Sequence, residues 1–111
     1  MRARGEEESS AVVKARVEKA REIQRKRFEG VGINVNAEMN NRLINEYCAL
    51  DADSERLMKL AFKNQSLSAR SFTRILKVAR TIADLAGREN IAVNDVAEAI
   101  QYKTKDLSDE N

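Results

Sequence analysis

The chain has 111 residues, of which 42% are hydrophobic and 34% are charged, and its formal net charge is +2. No apolar run approaches the roughly 20 residues that span a bilayer and the first residues lack a secretory signal, so we expect a cytoplasmic protein without a membrane partner. Histidine is absent and Cys48 is the only cysteine, which excludes an internal disulfide and a tetrahedral zinc site, and we expect no bound metal.

The chain is predicted to begin with a charged lead-in that precedes a first helix. Residues 1–8 combine several charges with Gly5 and show no periodicity, so we expect them to be disordered. The first helix should begin at Ser9 or Ser10 and end at Gly30. Its apolar stripe is thin, so the helix must pack against another element to be stable. The stripe consists of Val13, Val17, Ala20 and Phe28.

The first helix is strongly basic. Between positions 14 and 27 it carries seven basic residues and two acidic ones. Such a run is typical either of a solvated helix face or of a surface that contacts phosphates. The possible contacts to DNA or to a neighbouring subunit are Arg21, Arg25, Lys26 and Arg27. An alternative function is therefore a stand-alone helical module that binds nucleic acid or another protein.

The middle of the chain predicts a loop and two further helices. Gly30 and Gly32 do not complete a phosphate-binding loop, because the third glycine of G-x-G-x-x-G is replaced by Val35 and no Walker A sequence occurs. They indicate a turn that ends the first helix. Asn40 or Asn41 should cap a short second helix, and the acidic sequence DADSE suits the start of a third.

The fourth helix has the clearest pattern. The sequence ARSFTRILKVARTIADLA should be capped by Ser66 or Ser68 and closed by Gly87. Its apolar positions are Phe72, Ile75, Leu76, Ala79, Ile82, Ala83 and Ala86. Asn94 is predicted to cap a fifth helix, which precedes a polar tail at 104–111. With no proline and no alternating apolar runs, the sequence predicts an all-α bundle of four to five helices.

Arg70 is the candidate functional residue on physical grounds. If Ser68 caps the fourth helix, Arg70 lies in the first turn, where the helix dipole disfavours a cation by a few tenths of a kcal/mol. An arginine at this position makes sense if an anion binds there, since helix N-termini favour phosphate. Arg74 and Lys77 continue on the same face. The alternative, three ordinary surface cations, is equally compatible with the spacing.

A family resemblance appears at these residues. The stretch SLSARSFTRILKVARTIADLAGRENIAVNDVAEAIQYK resembles the C-terminal domain of magnesium-chelatase-like AAA+ proteins of the YifB or ComM type. The upstream stretch SSAVVKARVEKAREIQRKRF is similar to the helix that opens this domain. The resemblance covers residues 9–103 and implies a helical lid that packs behind an upstream nucleotide-binding core in the same chain.

The resemblance also implies roles for particular residues. The arginine of the S-A-R sequence, here Arg70, corresponds to the sensor-2 residue that contacts the γ-phosphate region of ATP, with Ser68 as the helix cap and Arg74 secondary. The fragment alone would be no enzyme and would bind no cofactor, whereas the full-length protein would hydrolyse ATP with Mg²⁺. Related proteins suggest a hexameric ring that acts on DNA recombination intermediates during competence, and the arginine can act in cis or in trans.

Overall fold

A computed structural model describes residues 10–65 and 68–110, and within these ranges it contains five α-helices, one 3₁₀ turn and no strand. The helices are α1 (Ser10–Arg27), α2 (Asn41–Tyr47), α3 (Ala52–Gln65), α4 (Ala69–Leu85) and α5 (Val93–Glu110), and the 3₁₀ turn is Asn36–Glu38. The predicted all-α class is confirmed. The lead-in at 1–8 and the possible caps Ser9 and Ser66 lie outside the described residues.

The central element is α4, which packs against α5, α1, α2 and the 3₁₀ turn. Its interior positions Ile75, Ala79 and Ala83 have no exposed surface. Burying a side chain the size of isoleucine contributes about 1.5–3 kcal/mol, so this face accounts for much of the association between helices. Phe72 and Ile82, predicted as part of the same apolar stripe, are half-buried at its edges.

The first helix packs mainly through its carboxy-terminal half. Ala20 and Phe28 are buried as predicted, but Val13 is 42% exposed and the polar Gln24 is buried instead. The Phe28 ring meets the Tyr47 ring edge to face at 5.7 Å, and this contact joins α1 to α2. The basic helix is therefore anchored at one end and exposed at the other.

Turn chemistry explains where α1 and α4 end. Gly30 and Gly32 have φ angles of 77° and 98°, a left-handed region that glycine enters without strain, which confirms the predicted turn. At the end of α4, Gly87 has φ 76°. Its N–H donates to the Asp84 carbonyl at 3.0 Å, and the Arg88 N–H donates to the Ala83 carbonyl at 2.9 Å. This pair of bonds is a Schellman motif, which satisfies carbonyls left free at the helix end.

Side chains cap α2, α4 and α5 at their starts. Asn40 accepts a bond from the Leu43 N–H and Ser68 accepts one from the Ser71 N–H, as the sequence predicted. The prediction that Asn94 caps α5 is wrong. The helix begins at Val93, and the Asp95 carboxylate accepts a bond from the Ala92 N–H at 2.8 Å. A carboxylate three residues into a helix that reaches back to the cap is one half of a capping box.

Candidate functional site

The candidate site lies at the amino-terminal end of α4. Ser68 precedes the helix in extended backbone geometry, and its hydroxyl oxygen accepts a hydrogen bond from the Ser71 N–H at 3.2 Å. The Phe72 N–H donates to the Ser68 carbonyl at 2.9 Å, which closes the first helical turn. The N–H groups of Ala69 and Arg70 precede the first intrahelical donor, so this end of the helix attracts anions.

Arg70 lies in this first turn and is exposed. Within the part of the chain that the structure describes, its guanidinium has no carboxylate in salt-bridge range. The contact that involves Arg70 is made by its backbone carbonyl, which accepts a hydrogen bond from the Thr73 hydroxyl at 3.0 Å. On the Arg70 side, this bond involves the main chain alone, so the charged end of Arg70 remains free to meet an anion from outside.

The two other basic residues on this face of α4 behave differently from each other. Arg74 is exposed like Arg70, and it likewise has no ion-pair partner among the described residues. Lys77 is half-buried, and its amine donates to the Ala37 carbonyl at 3.0 Å. Lys77 therefore connects α4 to the 3₁₀ turn. It differs in this from Arg70 and Arg74, so the alternative of three ordinary surface cations does not describe Lys77.

The basic residues of α1 divide into an exposed group and one interior residue. Arg21, Arg25 and Lys26 are exposed, and Arg25 forms an ion pair with Glu22 at 2.6 Å. The side chain of Arg27 is only 11% exposed. Both of its terminal nitrogens donate to the Asp84 carboxylate at 2.8 Å. Arg27 thus connects α1 to α4, and the structure does not place it on a contact surface for DNA or a subunit.

A buried polar network surrounds Asp84 at the carboxy-terminal end of α4. Its carboxylate accepts bonds from Arg27 and, at 2.9 Å, from the Asn36 amide, and it pairs with Arg80 at 3.1 Å. Burial raises the pKa of Asp84, but hydrogen bonds from Arg27 and Asn36, with the charges of both arginines, outweigh burial. The pKa of this carboxyl therefore lies below its ordinary value.

Arg80 completes this network from the interior. It is 4% exposed, and it donates to the backbone carbonyls of Tyr47, Arg88 and Glu89 at 3.0–3.3 Å. These bonds attach the end of α2 and the α4–α5 connection to α4. Neither Arg80 nor Asp84 was predicted from the sequence as a site residue. The available signal was their i, i+4 spacing, which places an arginine and an aspartate on one face of the most regularly patterned helix.

The described residues offer little for metal or nucleophilic chemistry. Within them, no group of three or more His, Cys, Asp or Glu side chains is placed to hold a metal ion. Burial raises the pKa of the Cys48 thiol to about 11, so this thiol remains protonated and a poor nucleophile at neutral pH. None of the helices in the described ranges is long and apolar enough to cross a membrane.

Fold and site together define a small helical domain that presents an exposed arginine at the capped start of its central helix. The chain belongs to the family described as magnesium chelatase, subunit ChlI, C-terminal, whose model matches residues 7–103. This match confirms the family resemblance of the α4–α5 stretch and includes the basic first helix. No solved structure matches the chain.

Similar proteins come from several bacteria. The chain is 39% identical over 99 residues to the uncharacterized protein YifB of Salmonella typhimurium. The matched segment covers 89% of this chain and 19% of that protein. It is 41% identical over 96 residues to the competence protein ComM of Haemophilus influenzae, covering 86% of this chain and 18% of ComM. The uncharacterized protein YifB of Escherichia coli is 37% identical over 99 residues, or 89% of this chain and 19% of that protein. The chain thus spans less than a fifth of these relatives.

Proposed function

We propose that this domain is the lid of a larger AAA+ ATPase and that Arg70 is its sensor-2 residue, which contacts the γ-phosphate of ATP. The observation that carries the proposal is the exposed Arg70 guanidinium at the capped start of α4, which has no carboxylate partner among the described residues. The ATP and its Mg²⁺ would be held by a core that precedes this domain in the longer protein, and the domain itself would perform no hydrolysis.

Charge and geometry support this role. A γ-phosphate near the start of α4 would meet the free N–H groups of the first turn, the positive end of the helix dipole and the planar donor fork of Arg70. All three features favour a negatively charged ligand. Release of the phosphate after hydrolysis would remove the anion that Arg70 contacts. The position of the lid close to the nucleotide would then be less favourable. The arginine would thereby couple the lid position to the state of the nucleotide.

The wider setting of this motor is also a proposal. We propose that the longer protein forms a hexameric ring, in which Arg70 acts on the ATP of its own subunit or of a neighbour. One similar protein is named a competence protein, and we propose that the longer protein is a cytoplasmic motor that acts on DNA recombination intermediates.

The test is ATP turnover by the longer protein with Arg70→Ala. Arginine fingers contribute about 10³–10⁵ in rate, and a sensor that also binds the ground state should contribute at or below the low end. Arg70→Lys should recover little activity, because a point charge does not reproduce the planar fork. Arg74→Ala is the matched control from the same face and should retain most activity. Wild-type turnover in Arg70→Ala would reject the sensor role.

A mixing experiment separates action in cis from action in trans. Arg70→Ala subunits are combined with subunits whose Walker A lysine is replaced. If Arg70 acts in trans, some interfaces in a mixed ring join an intact nucleotide site to an intact arginine, and turnover should reappear. If Arg70 acts in cis, no subunit holds both intact parts and turnover should remain absent.

Binding of DNA through α1 is a second candidate function, favoured by the exposure of Arg21, Arg25 and Lys26. Arg25 already pairs with Glu22, so few cations are free to contact phosphates. We expect weak, sequence-independent binding that is lost between low and physiological salt, measured by fluorescence anisotropy. Tight binding that persists at about 0.2 M salt would instead make DNA recognition the principal role.

A further inference from the structure

Asn36 of the 3₁₀ turn joins two helices through buried polar bonds. It is 1% exposed, and its side-chain oxygen accepts a bond from Arg27 of α1 at 2.9 Å. Its amide nitrogen donates to Thr81 at 3.0 Å and to Asp84 at 2.9 Å, both on α4. Its backbone N–H donates to the side chain of Gln24 on α1 at 3.0 Å. We call Asn36 and these four partners the Asn36 clamp.

The chemistry of the partners allows the Asn36 amide one orientation only. A guanidinium can only donate and an ionised carboxylate can only accept, so the amide oxygen must face Arg27 and the amide nitrogen must face Asp84. Both hydrogens of that nitrogen are used, one of them by Thr81. A buried polar residue with all its donors bonded specifies a single arrangement of the elements around it. The clamp therefore fixes α1 and α4 at one angle.

The apolar contacts of α1 are less able to fix this angle. Ala20 and Phe28 are buried, but Val13 is 42% exposed, and the Phe28 ring meets Tyr47 of α2 rather than a ring of α4. Apolar burial has no preferred direction, whereas a hydrogen bond weakens steeply when its angle departs from linearity. The orientation of α1 relative to α4 therefore depends on the clamp.

The same 3₁₀ turn is bonded to the face of α4 that carries Arg70. Lys77, which follows Arg70 by about two helical turns, donates to the Ala37 carbonyl at 3.0 Å. The helix is continuous over Ala69–Leu85, so Arg70 lies about 17 Å along the axis from Thr81. A tilt of α4 by about 10° at Thr81 displaces Arg70 by about 3 Å. Small changes of angle at the clamp are therefore magnified at the start of the helix.

We propose that Asn36 is a positioning residue for Arg70. The clamp makes α1 and α4 move as one body, so the arginine follows the part of the chain that enters the domain through α1. This inference rests on the proposed function, in which an ATP-binding core precedes α1. A misplacement of about 1 Å can lower a rate about 100-fold, and at Arg70 this corresponds to a tilt of about 3–4°. Asn36 thus affects turnover through Arg70, without contact with the nucleotide.

Distances between spin labels on α1 and α4 test the clamp in the 111-residue chain. The labels are attached at Lys19→Cys and Arg74→Cys, both exposed positions, with Cys48→Ala, and are measured by double electron–electron resonance. Asn36→Ala should make the distance distribution about twice as wide, because the apolar contacts that remain have no preferred direction. The matched control is Asn40→Ala, which removes a bond within the start of α2 and should leave the width unchanged.

Turnover by the longer protein tests whether the clamp acts through Arg70. Asn36→Ala should lower kcat about 10- to 100-fold. In a protein that already carries Arg70→Ala, the same substitution should cause no further loss, because no sensor is left to displace. Asn40→Ala controls for lost stability and should retain wild-type kcat. Thr81→Ser keeps the hydroxyl that accepts a bond from Asn36 and should also retain it.

The outcomes separate the clamp from the sensor. If Asn36→Ala fails to fold, Thr81→Val removes one bond of the clamp while keeping the side-chain shape, and it should widen the distribution and lower kcat only where Arg70 is present. An unchanged distribution overturns the proposal, as does an equal loss of kcat with and without Arg70. Wild-type turnover in Arg70→Ala rejects the sensor role itself. Reduced turnover in Arg70→Ala with full turnover in Asn36→Ala rejects only the role of the clamp.

Discussion

Near its amino-terminal end, α4 carries Arg70 in an exposed position, with no carboxylate partner in the described part of the chain, whereas Arg80 is 4% exposed and bonded on several sides. The two residues lie about 15 Å apart along the same helix. Arg80 can be buried because Asp84 and three backbone carbonyls replace the water that its guanidinium loses. Arg70 has no such replacements and remains hydrated.

The contrast teaches that one residue type serves stability and binding in one helix, according to its surroundings. Acceptors from its own chain occupy both terminal nitrogens of Arg80, and its Nε is buried without a hydrogen-bond partner, so no donor of this guanidinium is presented to an external anion. A guanidinium without them retains its donors and its charge for a ligand. Mutations at Arg70 and at Arg80 should therefore separate the proposed phosphate contact from the stability of the domain.

The largest effect should come from removing the carboxylate of the network. Asp84→Ala leaves Arg27 and Arg80 near each other without their common partner, and breaking a buried pair in this way costs about 3–5 kcal/mol. Urea unfolding followed by circular dichroism measures the loss. The matched control is Asp53→Ala, whose carboxylate is 67% exposed and pairs with the exposed Arg56, and which should cost at most about 1 kcal/mol. Similar losses in both variants would show that the network contributes no more than a surface pair.

An intermediate effect is expected on acidification. The folded pKa of Asp84 lies below the ordinary 3.8, so folding favours the ionised carboxylate. Its contribution to the free energy of unfolding is complete above the unfolded pKa and is lost as pH falls through the lower, folded pKa. The gap in stability between the wild type and Asp84→Asn should therefore narrow below about pH 4. A gap that stays constant down to the acid transition would mean that Asp84 ionisation does not stabilise the fold.

The smallest effect on stability belongs to Arg70→Ala. Removing a cation from the positive end of the helix dipole should change the free energy of unfolding by a few tenths of a kcal/mol, in the stabilising direction. Arg80→Ala, the comparison residue, should destabilise the domain far more, since it removes donors from three backbone carbonyls. Thermal unfolding of both variants gives the comparison. A loss of more than about 1 kcal/mol in Arg70→Ala would place this side chain among the groups that hold the fold together.

Both ends of α4 could be predicted from the sequence because their determinants are local. Ser68 precedes the apolar pattern and Gly87 follows it, and each acts through bonds to residues within five positions. Local sequence alone gave the wrong capping residue for α5, which was predicted to be Asn94. Asn94 and Asp95 both suit the start of a helix, but in the structure the bond at this helix start is the one that the Asp95 carboxylate accepts from the Ala92 N–H. Helix ends are therefore predictable to within a residue or two, and the capping side chain was predicted for α2 and α4 but not for α5.

The carboxy-terminal network could not be predicted because its partners are far apart in the chain. Arg27 and Asp84 are separated by 57 positions, and nothing in the basic first helix distinguishes Arg27 from Arg25 or Lys26. The difference arises only when α1 packs on α4, which turns one side chain inwards and leaves the others in water. The assignment of Arg27 to an external contact surface was wrong for this reason.

The buried Cys48 has a practical consequence for studying this domain. It is 3% exposed and lines a cavity of about 520 Å³ between α2, α3 and α4. Because so little of Cys48 is exposed, a water-soluble thiol reagent has poor access to the sulfur in the folded domain, and the raised thiol pKa slows reaction further at neutral pH. The rate of labelling therefore reports local opening of the helical bundle. Because Cys48 is natural to the chain, this measurement needs no engineered probe.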